Sequence, residues 1–419
     1  MCFVLPLLLL AGCRKRDEDR LAPSIQLESP YVGATFYYLN SISVEATVQD
    51  DRQLEYVTLE ITNAQNIRYL ETKNYYPTGN TLDINYTIAH NDLFLSSGTY
   101  YVKITASDGV NQQIAFREIQ LIEAPRLLER IFVVRDVGGT TAIDSLSGNN
   151  LLPGFTYAHT YNFGGIDSRT QQLVLCGANP ATLASYSYPD LQAINAAFPL
   201  TDDVISAFYH DKQQHSFFWG TEQGHIWKTT TSGTQLVTST GPSRVMHIGM
   251  HSGHLIVATQ GVTNNFIHVI RADNGVIETT LPFSWELKGT VELASDNNRV
   301  LIIGNQNNAA HFVWLNLATA AFNEVFNFYE TSLVRSLCNG SGNDFYVVHD
   351  NGLAHYSNGL NSYTLNADLT PTRLIYDDLQ HVLCGVLTDE LLFLNETGLN
   401  TLQSIAAPGI QDVWLKYNK

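Results

Sequence analysis

A short strand pattern that recurs seven times constrains this chain more than any other feature. The copies are Phe163-Gly164-Gly165-Ile166-Asp167, Ala207-Phe208-Tyr209-His210-Asp211, His247-Ile248-Gly249-Met250-His251, Glu292-Leu293-Ala294-Ser295-Asp296, Arg335-Ser336-Leu337-Cys338-Asn339, Arg373-Leu374-Ile375-Tyr376-Asp377 and Asp412-Val413-Trp414-Leu415-Lys416. Most run into a polar turn and then an apolar strand, as in His215 to Trp219, His254 to Ala258 and Arg299 to Ile303. Successive copies are 38 to 45 residues apart. The last copy has no hairpin partner after it. Near Arg130 the opposite holds: Arg130 to Arg135 and Thr140 to Leu146 read as later strands of a repeat that lacks its first. Pairing the two ends would complete one unit and close a ring.

Repeats of about 40 to 50 residues with four short strands each are the signature of propeller blades. Extra strands fill the period, such as Ile226 to Lys228 and Gln235 to Val237, or Phe266 to Ile270 and Val276 to Thr280. The segment from Arg130 to Tyr417 resembles the seven-bladed propellers closed by a shared blade. Its turns Asp273-Asn274-Gly275, Asp350-Asn351-Gly352 and Glu396-Thr397-Gly398 look like those of quinoprotein and YVTN-type propellers, where glycine supplies a positive φ between outer strands. No Trp-Asp or kelch double-glycine signature recurs, and the regular tryptophans of quinoprotein blades are absent, so no cofactor is expected.

The chain opens with ten apolar residues, Cys2 to Ala11, too few to span a bilayer but suited to a signal peptide core. They end in Leu10-Ala11-Gly12-Cys13, which resembles the bacterial lipobox. That resemblance implies a signal peptide over 1–12, a lipidated Cys13 and a tether over 13–21. Seven charges follow, Arg14 to Arg20, and cannot build a core. Asp17-Glu18-Asp19 is similar to the acidic export signal of Bacteroidetes surface lipoproteins. The expected address is the outer membrane, facing the exterior, with membrane lipid as partner of Cys13.

Residues 22–123 alternate apolar and polar, for example Val57, Leu59 and Ile61 against Thr58, Glu60 and Thr62. About seven strands in about 100 residues fit an immunoglobulin-like sandwich. Gly98 to Gly109 resembles the penultimate strand of PKD, cadherin-like and fibronectin-type modules. Glu123-Ala124-Pro125-Arg126 reads as the linker, because proline removes a strand donor. The fold expected is therefore all-β, with this sandwich followed over 124–419 by a seven-bladed propeller closed by the C-terminal strand.

Charge narrows the partners. With 23 Lys and Arg against 40 Asp and Glu, the net charge of −17 argues against nucleic acid, whose phosphates need a basic face. Beyond Cys2 and Cys13, the cysteines are Cys176, Cys338 and Cys384, which do not make a disulfide framework. His247, His251 and His254 are the densest imidazole group, but their spacing spans a strand, a turn and another strand, so ordinary turn histidines are the better reading. Asp50-Asp51 and Asp108 read as turn carboxylates with calcium as the alternative. Tyr37-Tyr38, Tyr75-Tyr76 and Tyr186-x-Tyr188 either stack sugar rings or cover a sheet face.

The Ser-x-Asp-x-Gly-x-Thr-Trp, Gly-x-Ser-x-Gly and His-Glu-x-x-His motifs do not occur. The expectation is a non-catalytic module that binds a glycan, peptide or protein; the alternative is a polysaccharide hydrolase or lyase on the same stalk, whose paired carboxylates would be set in space and not by spacing. If the opening residue of each copy lies at a channel mouth, that column is Phe163, Ala207, His247, Glu292, Arg335, Arg373 and Asp412. His247, Glu292, Arg335, Arg373 and Asp412 are then the ligand-binding candidates. The competing reading is a ring of ion pairs, Glu292 with Arg335 and Arg373 with Asp412, that holds neighbouring repeats in register.

Overall fold

The computed structural model describes residues 20–178, 181–199, 203–325, 332–357, 359–360 and 362–419. The 1–12 segment, Cys13 and the acidic Asp17-Glu18-Asp19 lie outside the described residues. The chain divides into two compact units between Pro125 and Arg126.

The first unit is built from eight strands: β1 (Ser24–Ser29), β2 (Ala34–Tyr37), β3 (Ser41–Gln49), β4 (Tyr56–Thr62), β5 (Arg68–Tyr75), β6 (Thr81–Ala89), β7 (Gly98–Ser107) and β8 (Gln112–Ile122). They form two sheets, β1-β3-β6 and β2-β8-β7-β4-β5. Alternation explains the layering: Ile42, Val44, Ala46 and Val48 of β3 are buried, as are Val57, Leu59 and Ile61 of β4, and these join one apolar core. Two strands were not anticipated: β5, and β2, which pairs parallel with β8. Glu60, placed by alternation on the face opposite Val57, Leu59 and Ile61, is also buried. Arg68 at 2.6 Å and Lys103 at 3.4 Å cover its carboxylate there. The Asp50 carboxylate accepts from the Arg52 and Gln53 amides and Asp108 from those of Val110 and Asn111, so both cap turns.

Among the described residues, the second unit holds seven four-stranded antiparallel sheets. Six are formed by consecutive strands. The seventh joins Leu128–Val137, Thr140–Ser147 and Asn150–Tyr157 to the C-terminal strand Ile410–Tyr417, which pairs with Leu128–Val137. The first strands of the sheets are Tyr161–Asp167, Ile205–Asp211, Arg244–His251, Glu286–Val291, Val334–Asn339 and Arg373–Asp377, with Ile410–Tyr417 in the same role. Each touches the next, and Ile410–Tyr417 touches Tyr161–Asp167, so the order is a closed circle. The unit is β-propeller-like and all-β.

Apolar second and third strands make the seams between sheets. Phe217, Phe218 and Trp219 are buried between neighbours, as are Leu255 to Val257 and Leu301 to Ile303. Polar bridges add register: the Asn162 amide donates to the Ile205 carbonyl at 2.8 Å, and Ser206 Oγ to the Val245 carbonyl at 2.6 Å. Cys176 and Cys384 are buried in strands, Cys338 is half-buried, and all three are free. Burial pushes the Cys384 thiol up to about 12 and the other two up as well.

Candidate functional site

The register of the first strands decides which residues share a level of the channel. A bulge recurs near their start, between Tyr161 and Phe163, Ile205 and Ala207, Val245 and His247, Leu287 and Gly289, Val334 and Ser336, and Ile410 and Asp412. The residues just past it are Phe163, Ala207, His247, Gly289, Ser336 and Asp412, and Arg373 opposite Val386 holds the same level. Two assignments from the repeat alignment therefore change. Glu292 lies beyond the end of its strand, at the hairpin turn, and Arg335 is the bulged residue one before the column. For Glu292 the cause is the fourth hairpin, whose ladder ends at Val291 and Leu301 with a long turn between, and for Arg335 it is the bulge between Val334 and Ser336.

At the opening level, Asp412 is the centre of a network. Its carboxylate takes hydrogen bonds from Tyr161 Oη at 2.5 Å and Trp414 Nε1 at 3.3 Å, and it pairs with the Arg373 guanidinium. These partners lie on the two sheets flanking the one that Asp412 completes, and on its own strand. Asp412 raises the pKa of Arg373 further, and burial followed by the Asp412 charge does the same to the Tyr161 phenol. Gly164 makes room for this arrangement: a Cβ there would stand 2.8 Å from both the Trp414 ring and the Val174 carbonyl oxygen. The expected Glu292–Arg335 pair does not form. Arg335 instead meets Asp350 of its own sheet at 2.5 Å, with both side chains exposed. His247 Nε2 lies 3.1 Å from Thr290 Oγ1 of the next sheet, and burial lowers its pKa to about 4.

The turn end of the channel gathers several titratable groups. Tyr209 Oη reaches Glu292 Oε1 at 3.4 Å, past the intervening Arg244–His251 strand. Burial raises the Glu292 carboxyl to about 7; the Tyr209 contact opposes this shift and the neighbouring Asp211 charge adds to it. Lys212 follows in the turn. Its side chain is exposed. Arg126 lies over the Tyr417 ring at 3.8 Å and 2.6 Å from Asp378, while Tyr417 Oη donates to Asp377 at 2.8 Å. Asp167 gathers His210 and His215, each at 3.1 Å. Burial pushes Asp167 up but is outweighed by His210 and Thr170, so its pKa falls. Among the described residues, no three His, Cys, Asp or Glu side chains are grouped as a metal site. His251 and His254 face each other across their hairpin, and His247 sits four residues back, midway along the same strand.

Sequence reasoning did not find a cleft of about 280 Å³ between the sheet closed by Ile410–Tyr417 and the sheet that begins with Tyr161–Asp167. Phe132, Phe155, Tyr188, Leu191 and Trp414 line it, with Arg130 at its rim. The bulge between Ile143 and Ser145 lets Pro153-Gly154 pass close behind it, and a Cβ on Gly154 would lie 2.5 Å from the Ile143 carbonyl oxygen. The one available signal was Tyr186-x-Tyr188: Tyr186 packs edge-on against Phe155 at 5.1 Å and Tyr188 against Phe132 at 5.5 Å.

No family model matches the chain, and no curated protein does. Among solved structures, a quinonprotein alcohol dehydrogenase-like protein from Bacteroides thetaiotaomicron is similar over 93% of this chain and 97% of its own, at 11% identity and a TM-score of 0.48. A functionally unknown protein from Desulfotomaculum acetoxidans is similar over 68% of this chain and 98% of its own, at 11% identity and a TM-score of 0.51. Identity at this level speaks to fold alone and transfers no activity.

Proposed function

We propose that the protein is an outer-membrane surface lipoprotein. In this reading Cys13 carries the lipid, an immunoglobulin-like sandwich follows as spacer, and a seven-bladed propeller closed by Ile410–Tyr417 presents a non-catalytic binding site for a glycan, peptide or protein. The observation that supports binding is the convergence at the turn end of the channel: Tyr209, Lys212, Glu292, Asp377 and Tyr417 come from four sheets, and burial shifts Glu292 toward its neutral form. Concave sites with convergent polar groups and displaced pKa values are where ligands bind. Arg335 is exposed enough to take part in a ligand contact. His247, Arg373 and Asp412 contribute to this reading chiefly by holding the ring at its opening level.

The test has two arms. Cys13→Ser should move the protein from the carbonate-washed membrane fraction to the soluble one, since lipid chains supply the anchor; retention in the membrane would end the lipoprotein reading. On a glycan and peptide array, Lys212→Gln with Glu292→Gln should lose the retained species. The raised Glu292 carboxyl is also what a general acid needs, so the captured glycan is analysed for new reducing ends. Their appearance would replace the binding module with the hydrolase or lyase reading.

A further inference from the structure

The aromatic cleft lies outside the channel, and its charge pattern identifies what it can hold. In the sheet closed by the C-terminal strand, Phe132 is paired with Trp414 and Arg130 with Lys416. Residues two apart along a strand share a face, and Arg130, Phe132 and Trp414 all line the cleft. Like charges placed directly opposite in an antiparallel pair repel. Here only one is neutralised: Lys416 is buried and paired with Glu129. Arg130 is exposed and, among the described residues, makes no ion pair; its guanidinium stands 6.0 Å from the Tyr188 ring centre and Lys416 Nζ 5.2 Å from it. An unneutralised cation at an aromatic rim is conspicuous in a chain of net charge −17.

The interior is apolar. Ile143, Ile166, Leu173 and Leu191 close it, and Ser145 supplies the hydroxyl on its wall. A sugar ring would leave most of its hydroxyls without partners there, at a cost for each. A flat apolar ring meets no such penalty and gains stacking and edge contacts with Tyr188, Phe132 and Trp414. The volume of about 280 Å³ exceeds the roughly 150 Å³ apolar cavity that admits benzene.

We infer that this cleft is a binding site for a small planar apolar ring that carries a carboxylate, the ring seated between Tyr188, Phe155 and Trp414 and the carboxylate held by Arg130. The guanidinium fork suits that anion bidentately.

Calorimetric titration of the full chain with 2-naphthoate and with its neutral isostere 2-naphthamide tests this. The naphthoate should bind about tenfold more tightly, the weight of one charge-assisted contact. Arg130→Gln, at an exposed position, should abolish that preference while leaving the naphthamide affinity in place. Leu191→Trp, which fills the cleft, should remove both. Equal affinities in the unsubstituted protein, no binding of either probe, or a preference that survives Arg130→Gln would each overturn the assignment. Should Leu191→Trp fail to fold, the Arg130→Gln result decides alone.

Discussion

Asp412 and Glu292 are both carboxylates turned to the inside of the same ring of strands, and their surroundings are opposite. Asp412, at the opening level, is buried and receives Tyr161, Trp414, the Val413 amide and Arg373. Glu292, at the turn end, has one long contact with Tyr209 and a like-charged neighbour in Asp211. The first carboxylate has its acceptor sites filled by the protein and is spent on holding sheets together. The second keeps unused acceptor capacity in a partly dry place, which is what a ligand-facing group looks like.

Removing the charge of Asp412 should separate the two most sharply. Asp412→Asn leaves Arg373, itself mostly covered, without its counter-ion, and Tyr161 loses a charged acceptor. Breaking such a part-exposed pair from one side costs on the order of 1 to 2 kcal/mol, less than a fully buried pair because about a third of the Arg373 side chain still reaches water. Urea unfolding should therefore show a clear fall in midpoint at unchanged slope, whereas Glu292→Gln at pH 7 should raise the midpoint modestly, because it removes a charge that burial disfavours. A small effect of Asp412→Asn would mean that the closing strand is held by its backbone ladder and the apolar cluster around Val413, Leu415 and Tyr417 alone.

The contrast also shows what the amino-acid sequence could reveal. Strand periodicity identified the all-β class and the spacing of the first strands, because alternation and turn chemistry act locally. The Arg373–Asp412 pair was foreseeable for the same reason, since both strands align correctly on their own repeat. Glu292 and Arg335 were misplaced because the long turn at 292–298 and the recurrent bulge are invisible to an alignment made on turns. The cleft was hidden for a different reason. Its walls are distant in sequence, Phe132 and Leu191 against Trp414, and only packing brings them together. Glu60, too, falls on the polar face by alternation until Arg68 and Lys103 are placed above it.

The pH dependence of stability sharpens the comparison at a smaller scale. Glu292 has a native pKa of about 7 against an ordinary glutamate value of 4.5, so between those values the folded state holds the extra proton. Its contribution to stability is full below about 4.5 and is lost as the pH rises through 7. His247 and His268 work in the opposite sense: burial lowers both to about 4 from 6.5, so the unfolded state binds the extra protons. Their contribution is present above about 6.5 and is lost as the pH falls toward 4. Glu292→Gln should therefore steepen the rise of stability between pH 4.5 and 7, on the order of 1 kcal/mol over the window. His268→Gln should flatten it. Thermal melts at about pH 4.5, 5.5, 6.5 and 7.5 read both slopes; an unchanged slope in Glu292→Gln would return that residue to the class of ordinary solvated carboxylates.

The smallest expected effect separates neighbours by partner and not by proximity in the repeat. Arg335 contacts Asp350 at 2.5 Å, but both side chains are about half exposed, at 55% and 42%. Such pairs are worth about 0.2 to 1 kcal/mol because solvent screens the attraction and two long side chains lose freedom. Arg335→Ala should accordingly cost no more than about 0.5 kcal/mol. Two double-mutant cycles then distinguish the partners: Arg335→Ala with Asp350→Ala should show a coupling of a few tenths of a kcal/mol, while Arg335→Ala with Glu292→Gln should be additive within about 0.3 kcal/mol. A measurable coupling in the second cycle would restore the Glu292–Arg335 pair and, with it, a closed ring of charges in place of one filled latch and one open carboxylate.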